Sequence, residues 1–448
     1  MTETTTPMPV TEKIAAFVAE TRTADIPVEI YDHARVAFMD WVAVTLSGHD
    51  DPLIAKLNKY ADTLGGQPQA TLIGQGTKKT IADAALINGA ASHALDYDDT
   101  LVSFLGHPSV TLFPALLALA EWQGKSGRDF LTAYLIGLQA GAAVGACASL
   151  DHYLAGWHAT STLGHIAAAA GCARLLGLNQ EQTRHALGIG ATQSSGLKRV
   201  FGTMCKPFHA GRASQSGLMA ALLAQDGFTS AADILEGEQG FFQALKGTIN
   251  NDAIELLGFG WDVVNLSQKY HASCHATHSP LEAALATISK EKLDLDDIAA
   301  ITVRSSQLAL DAAGNPKPRT GLEAKFSIPF CVANALVTGL TGTRAFTDEQ
   351  VNNPRIQHLM AKITVLPDPE KSGLEATVTI EDTSGRQTEN FSDILQEIPP
   401  LDLKKARVKE KFIDLCQPLI GESRTAEAVR DIEELVSLNT MTSFAEKF

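Results

Sequence analysis

Lys206, His209 and Arg212 fall within the eleven residues GTMCKPFHAGR (202–212), in an otherwise apolar stretch rich in alanine and glycine. Pro207 suits the first residue of a helix, where a missing N–H costs nothing. That places Lys206 near the N-cap, beside free N–H groups and the positive end of the helix dipole, a setting that binds anions. His209 and Arg212 are three residues apart and share one helix face. The set reads as a carboxylate or phosphate site, or more plainly as a helix start with two solvated charges.

Three further polar clusters interrupt apolar sequence. In SHALDYDDT (92–100), followed by GHPS (106–109), Asp96, Asp98 and Asp99 end an alanine-rich helix, where anions oppose the dipole. Such frustration is expected at functional sites, although a helix end facing water fits the same residues. In GWHATSTLGH (156–165), Thr160 or Ser161 caps a helix and leaves His158 just ahead of its positive end. There a histidine holds a carboxylate or stays neutral as an acid/base group; a buried histidine bonded to a carbonyl is the alternative. His165, on the helix proper, reads as structural. In HASCHATHSPLE (271–282), Ser279 to Glu282 reads as a capping box with Pro280 first in the helix. His278, with His275 nearby, then lies just outside a third helix N-terminus. Three such starts, if they converge, make a polyanion site.

A metal centre is the rival. His271 and His275 have helical i, i+4 spacing and carboxylates occur at Asp96, Asp98 and Asp99, but H-E-x-x-H is absent and the histidines precede the capped helix. The reading is therefore no metal. No G-x-G-x-x-G, P-loop or G-x-S-x-G appears, so nucleotide cofactors and hydrolase-type serine chemistry have no support.

These clusters need a large scaffold. The chain has 448 residues, 45% of them hydrophobic and 19% charged, enough for two or three domains. The first half reads as helices near 9–21, 27–47, 51–64, 80–95, 109–123, 127–149, 160–176, 179–194, 208–226 and 229–236, with Asn179 as an N-cap. QATLIG (69–74) is a possible strand with no β-like neighbour. After about residue 260, strand-like runs at 300–304, 363–366 and 376–380 appear, the last with a hairpin signal at Asp382–Gly385. Helices interleave near 280–290, 325–339, 347–361 and 402–416, and a last one covers Thr425–Leu438. The expected architecture is mainly α, a large all-helical domain with a smaller α+β domain: 1–264 helical, 265–398 α+β, and 399–448 returning to the helical domain.

The net charge of −15 argues against nucleic acid or an anionic membrane as partner. The uncharged run 131–150 is long enough to span a bilayer, but it is rich in small residues and lacks basic flanks, so it reads as a core helix, with Gly137, Gly141 and Gly145 allowing close approach. Six scattered cysteines without C-x-x-C and a polar N-terminus, MTETTTP, point to a reduced, cytoplasmic protein.

Taken in order, HALDYDDT with GHPS, GWHATSTLG, GTMCKPFHAGRA and SCHATH before a helix resemble the MmgE/PrpD family, as do ARLLGL and AKFSIPFCVANAL. The family includes 2-methylcitrate dehydratase, cis-aconitate decarboxylase and iminodisuccinate epimerase. The resemblance implies a helical domain plus an α+β domain, a homodimer, an interdomain site and no cofactor. It implies site residues at Asp96, Thr100, His107, His158, Lys206 and His278, with His275 a neighbour; His209 and Arg212 join them as substrate-binding candidates. Phe330 stands where a tyrosine is often found, and Cys205 where the lysine is usually preceded by threonine. The implied chemistry is proton transfer at carbon next to a carboxylate in a small di- or tricarboxylate. A lyase comes first, dehydratase ahead of decarboxylase, and an epimerase second. A metal-dependent hydrolase and a non-catalytic helical dimerisation protein complete the alternatives.

Overall fold

The computed structural model describes residues 9–291 and 294–448. The polar segment 1–8, including the MTETTTP run, lies outside them. The chain forms two units, one of residues up to Gln268 together with Leu401–Phe448, the other Lys269–Pro400. It is mainly α, with a smaller α+β part.

The first unit is built from α1 (Val10–Glu20), α2 (Val28–Gly48), α3 (Pro52–Leu64), α4 (Ile81–His93), α5 (Ser109–Gln123), α6 (Gly127–Leu154), α7 (Ala159–Leu176), α8 (Gln180–Thr192) and α9 (Cys205–Gln225), plus the returning helices Leu401–Ile420 and Glu422–Glu433. Side chains start several of them. Thr80 accepts the Asp83 N–H, Ser126 that of Asp129, and Asn179 forms a reciprocal box with Gln182. Phe38, Trp41, Phe113 and Phe130 pack ring against ring in the core.

Small residues set the helix spacing that the polar clusters require. Where α4 meets α9, a Cβ on Gly211 would lie 2.0 Å from the Leu86 carbonyl oxygen, and one on Gly89 would lie 2.6 Å from the Gly211 Cα. The two backbones are in contact, which brings the C-terminal end of α4 beside the first turns of α9. In α6, Cβ atoms on Gly141 and Gly145 would strike the Phe104 ring at 2.6 Å and the Ser103 oxygen at 2.2 Å. This helix has the length and composition of a membrane span, yet 94% of its apolar window is buried inside the molecule. It kinks at Ser149, whose φ is 61°.

The second unit holds a four-stranded sheet in the order Ile363–Pro367, Ile298–Ser305, Ala376–Asp382, Gln387–Ser392, the first pair parallel and the others antiparallel. The expected hairpin forms, turning at Gly385 with φ 84°. Helices His278–Glu291 and Ile328–Thr338 supply the apolar core with Ile301, Val303, Val378 and Ile380.

Several boundaries differ from the sequence reading. Residues 229–236 form turns rather than a helix, because long-range bonds replace the ladder: Ser230 N–H reaches His185 Nδ1, and Glu236 binds Thr11. The span 347–361 is two helices, Asp348–Val351 and Pro354–Met360, split where proline cannot continue the ladder. Ala70–Leu72 does find a partner strand, Thr77–Lys79. Helix α9 begins at Cys205, so Lys206 is its second residue and Pro207 its third, still among the N–H groups that need no helical acceptor. The capping box at Ser279 is not made. A 3₁₀ turn at His275–Thr277 runs into a helix that already starts at His278; Ser279 Oγ instead accepts the Ile394 N–H, and Glu282 pairs with His271.

Two outcomes follow from this packing. Gly211→Ala overpacks the α4–α9 contact and lowers stability by about 1–3 kcal/mol or more, read as a fall in urea midpoint. His165, 1% exposed with Nδ1 bonded to the Ser161 carbonyl, is pushed down to about 4 by burial. A folded pKa below the unfolded 6.5 means that the unfolded chain binds the proton first, so its stabilisation is complete above pH 6.5 and is lost as pH falls towards 4. Between pH 7.5 and 5 the wild type should lose about 2 kcal/mol more than His165→Asn, measured by urea denaturation at each pH.

Candidate active site

The loop between α4 and α5 carries the acidic cluster, and its backbone is tightly held. Asp96 N–H bonds the His93 carbonyl, and Asp96 adopts φ 52°, a left-handed conformation that aspartate tolerates better than most residues. Lys411, from the returning helix Leu401–Ile420, donates to the Tyr97 carbonyl at 2.7 Å and to Asp40 Oδ1 at 2.6 Å. Thr100 is fixed by a two-way backbone pair with Ser267. Gly106 lets the loop press on Thr160, whose Oγ1 accepts the His107 N–H at 3.1 Å.

The three aspartates do not face water together; each has a different environment. Asp96, about a third exposed at its side chain, lies with Oδ1 2.9 Å from Lys206 Nζ and 3.8 Å from His107 Nε2. Asp98 is 1% exposed. Its Oδ1 accepts from His93 Nδ1 at 2.9 Å, and its Oδ2 lies 2.9 Å from His107 Nδ1. Burial alone would raise its pKa, but the two imidazoles hold it well below the usual carboxylate range. Asp99, also 1% exposed, is pushed well up by burial and by the nearby Asp40 charge, and so is kept as a neutral acid beside the Ser109 hydroxyl.

His158 occupies the N-cap of α7 itself, two or three places earlier than the cap expected at Thr160 or Ser161. Gly196 O accepts its N–H, and its Nδ1 is 3.0 Å from His209 Nδ1. One of those nitrogens must donate and the other accept, so the two rings cannot both carry two protons. Burial, reinforced by His93, Lys206, His209 and His107, holds His158 well below its ordinary value; burial and His93 lower His209. His158 is thus a neutral imidazole near neutral pH. Lys206 Nζ also lies over the Phe201 ring at 5.3 Å, and the same ring packs edge-on against His158.

The fold therefore gathers Asp96, His107, His158, Lys206 and His209 in the first unit. Arg212 does not join them: it is exposed and bonded to Gln215 one turn along α9. His278 and His275 belong to the second unit, where His278 is 3% exposed, its ring 4.9 Å from those of His271 and His275 and its Nε2 3.2 Å from the Ser273 oxygen. Burial and the neighbouring His271, His275 and Lys269 hold it well below the usual histidine range.

His93 escapes the sequence reading of the site although it lies inside the SHALDYDDT segment, and Asp98 stands out there only as one of three aspartates at a helix end. The available signal was the burial of α4 on all sides, which turns its last residue inward. The i, i+4 pairing of His271 with His275 is not realised, because no α-helix joins them. Among the described residues, His93, Asp96, Asp98 and His107 bring one ligand-type atom each within 4.8 Å of one another. Within this group Lys206 pairs with Asp96, and both Asp98 oxygens face imidazole Nδ1 atoms.

Comparison with known proteins agrees with the motif order. A cis-aconitate decarboxylase-like protein of Aspergillus oryzae is 28% identical, covering 98% of both chains. The cis-aconitate decarboxylase of Homo sapiens is 23% identical, covering 97% of this chain and 94% of its own. The 2-methylcitrate dehydratase of Cupriavidus necator is 26% identical over 76% of this chain and 74% of its own. Residues 12–252 match the MmgE/PrpD N-terminal domain and 271–436 the MmgE/PrpD C-terminal domain, and the chain belongs to the MmgE/PrpD family.

Proposed function

We propose that this chain is a cofactor-independent lyase acting on a small di- or tricarboxylate by moving a proton at carbon next to a carboxylate. The observation that carries the reading is the assembly of Lys206, Asp96 and His107 within 3.8 Å contacts beside a neutral, buried His158. Lysine at the first turn of α9 offers a cation, beside the positive end of the helix dipole, to a substrate carboxylate. When negative charge spreads from carbon into that carboxylate, the same cation is placed to stabilise it. His158 accepts a proton at neutral pH and, once charged in that buried setting, gives it up readily. His107, held between two carboxylates, is the partner acid. His278 is a second-unit candidate for the same chemistry.

Decarboxylation is the first assay. The relatives named cis-aconitate decarboxylase align over nearly all of this chain, whereas those named 2-methylcitrate dehydratase align over about three quarters or a little more. In that reaction the carbon–carboxylate bond breaks, carbon dioxide leaves, the electron pair moves into the carbon framework, and an acid returns one proton to carbon. Dehydration is the second reading: the base removes the proton from carbon while the acid protonates the departing hydroxyl as water.

Incubation with cis-aconitate or 2-methylcitrate in heavy water, followed by NMR, separates these outcomes. Loss of a carboxylate carbon supports the first reading and a new alkene from 2-methylcitrate the second. Deuterium at an α-carbon of a dicarboxylate without net change supports an epimerase and overturns the lyase assignment. With an active substrate identified, His158→Ala should lower kcat by about 10²–10⁴-fold, and Lys206→Ala should lower kcat/KM by about 10²–10³-fold. Full turnover in both folded variants overturns the site. Dialysis against a chelator should leave the rate unchanged; loss restored by a divalent ion refutes the cofactor-independent reading.

A further inference from the structure

His93 is not placed in contact with any reacting group by the proposed chemistry, yet its ring is fixed at the centre of the polar cluster. It is the last residue of α4 and 1% exposed. Its Nδ1 donates to Asp98 Oδ1 at 2.9 Å. That bond sets the carboxylate plane, and the other oxygen, Oδ2, thereby faces His107 Nδ1 at 2.9 Å. The His93 ring centroid is 4.6 Å from that of His107 and 6.1 Å from that of His158. Its second nitrogen, Nε2, is buried and has no hydrogen-bond partner among the described residues. A buried imidazole nitrogen left without a partner has a cost, and such groups concentrate where function requires them.

We infer that His93 is a positioning residue that acts through Asp98: one buried carboxylate is shared by two imidazoles, and the share taken by His93 sets how strongly His107 holds its proton. The inference rests on His107 being an acid/base group of the proposed lyase. With Nδ1 of His107 turned to Asp98, its Nε2 lies 3.8 Å from Asp96 Oδ1. The His93 N–H stabilises the Asp98 anion and so lowers the basicity it presents to His107. Removing that donor gives His107 a more basic partner and so raises the proton affinity of His107. The other charged groups around this set are Asp96 on the same loop, Lys206 and His209 on α9, His158 at the start of α7, Asp99 and Asp40 behind Asp98, and Lys411 from the returning helix.

The test is a side-chain NMR titration of the full chain labelled with ¹⁵N-histidine, with the His107 signal assigned by its absence in His107→Gln. His93→Phe should move the His107 midpoint upward by about half a pH unit or more. His93→Asn, whose amide replaces the Nδ1 donor, should restore most of the shift. Asp98→Asn should lower the midpoint, and adding His93→Phe to it should produce no further change. An unmoved midpoint in His93→Phe overturns the inference, as does a full shift in the Asp98→Asn background; the second result would mean that His93 acts directly and not through the carboxylate. This readout needs no turnover, so it separates failure of the inference from failure of the lyase reading. If His93→Phe does not fold, His93→Leu, alone and in the Asp98→Asn background, carries the same two expectations. With an active substrate, the acid limb of kcat/KM should move with the NMR midpoint.

Discussion

A full negative charge on Asp98, 1% exposed inside an interior of alanine, leucine and glycine, is the constraint around which the first unit is arranged. An unpaired carboxylate in such a place costs several kcal/mol. The protein meets that cost in three ways at once. His93 and His107 flank Asp98 itself. Lys411 crosses from the returning helix to neutralise the neighbouring Asp40 and to clamp the Tyr97 carbonyl. Asp99 avoids a second buried charge by staying protonated. The loop that presents Asp96 is therefore held from α4, α5 and the C-terminal segment, and its position is a consequence of where the buried charge must be.

Electrostatics alone would not place the cation. Lys206 reaches Asp96 because α9 lies against α4 at backbone distance, with Gly89 and Gly211 removing the side chains that would hold the helices apart. Both helices are apolar or alanine-rich around most of their circumference, so they carry little amphipathic signal, and their register comes from steric fit. A rigid backbone contact of this kind, a few residues from the charged groups, fixes where the Lys206 side chain starts, and its ammonium then meets Asp96 at 2.9 Å.

The sequence was legible where one physical rule dominated. Caps at Asn179, the hairpin at Gly385 and the buried nature of α6 follow from local chemistry or composition. Asp96, Asp98, Asp99, His158 and Lys206 stand out as polar groups in apolar surroundings, and the family resemblance singles out Asp96 and His107. His93 does not stand out, because its contact with Asp98 forms across a turn whose left-handed residue, Asp96, is not glycine. Ser279 and Glu282 matched a capping box, but tertiary partners, the Ile394 N–H and His271, won both side chains. His209 and Arg212 share a helix face in sequence. The tilt of α9 turns the first inward to His158 and leaves the second in solvent with Gln215.

Three aspartates within four residues thus reach three protonation environments: Asp96 partly exposed against an ammonium, Asp98 buried against two imidazoles, and Asp99 buried and neutral. Groups of one chemical type driven apart in this way are how acid and base roles are separated at one pH. The same crowding acts on the histidines. Burial and the positive neighbours of His158 keep it neutral, and Lys206 Nζ lies 2.9 Å from Asp96 Oδ1. On the proposed chemistry a neutral proton acceptor and an ammonium then stand in one cluster, and the ammonium is one of the charges that keep the acceptor neutral.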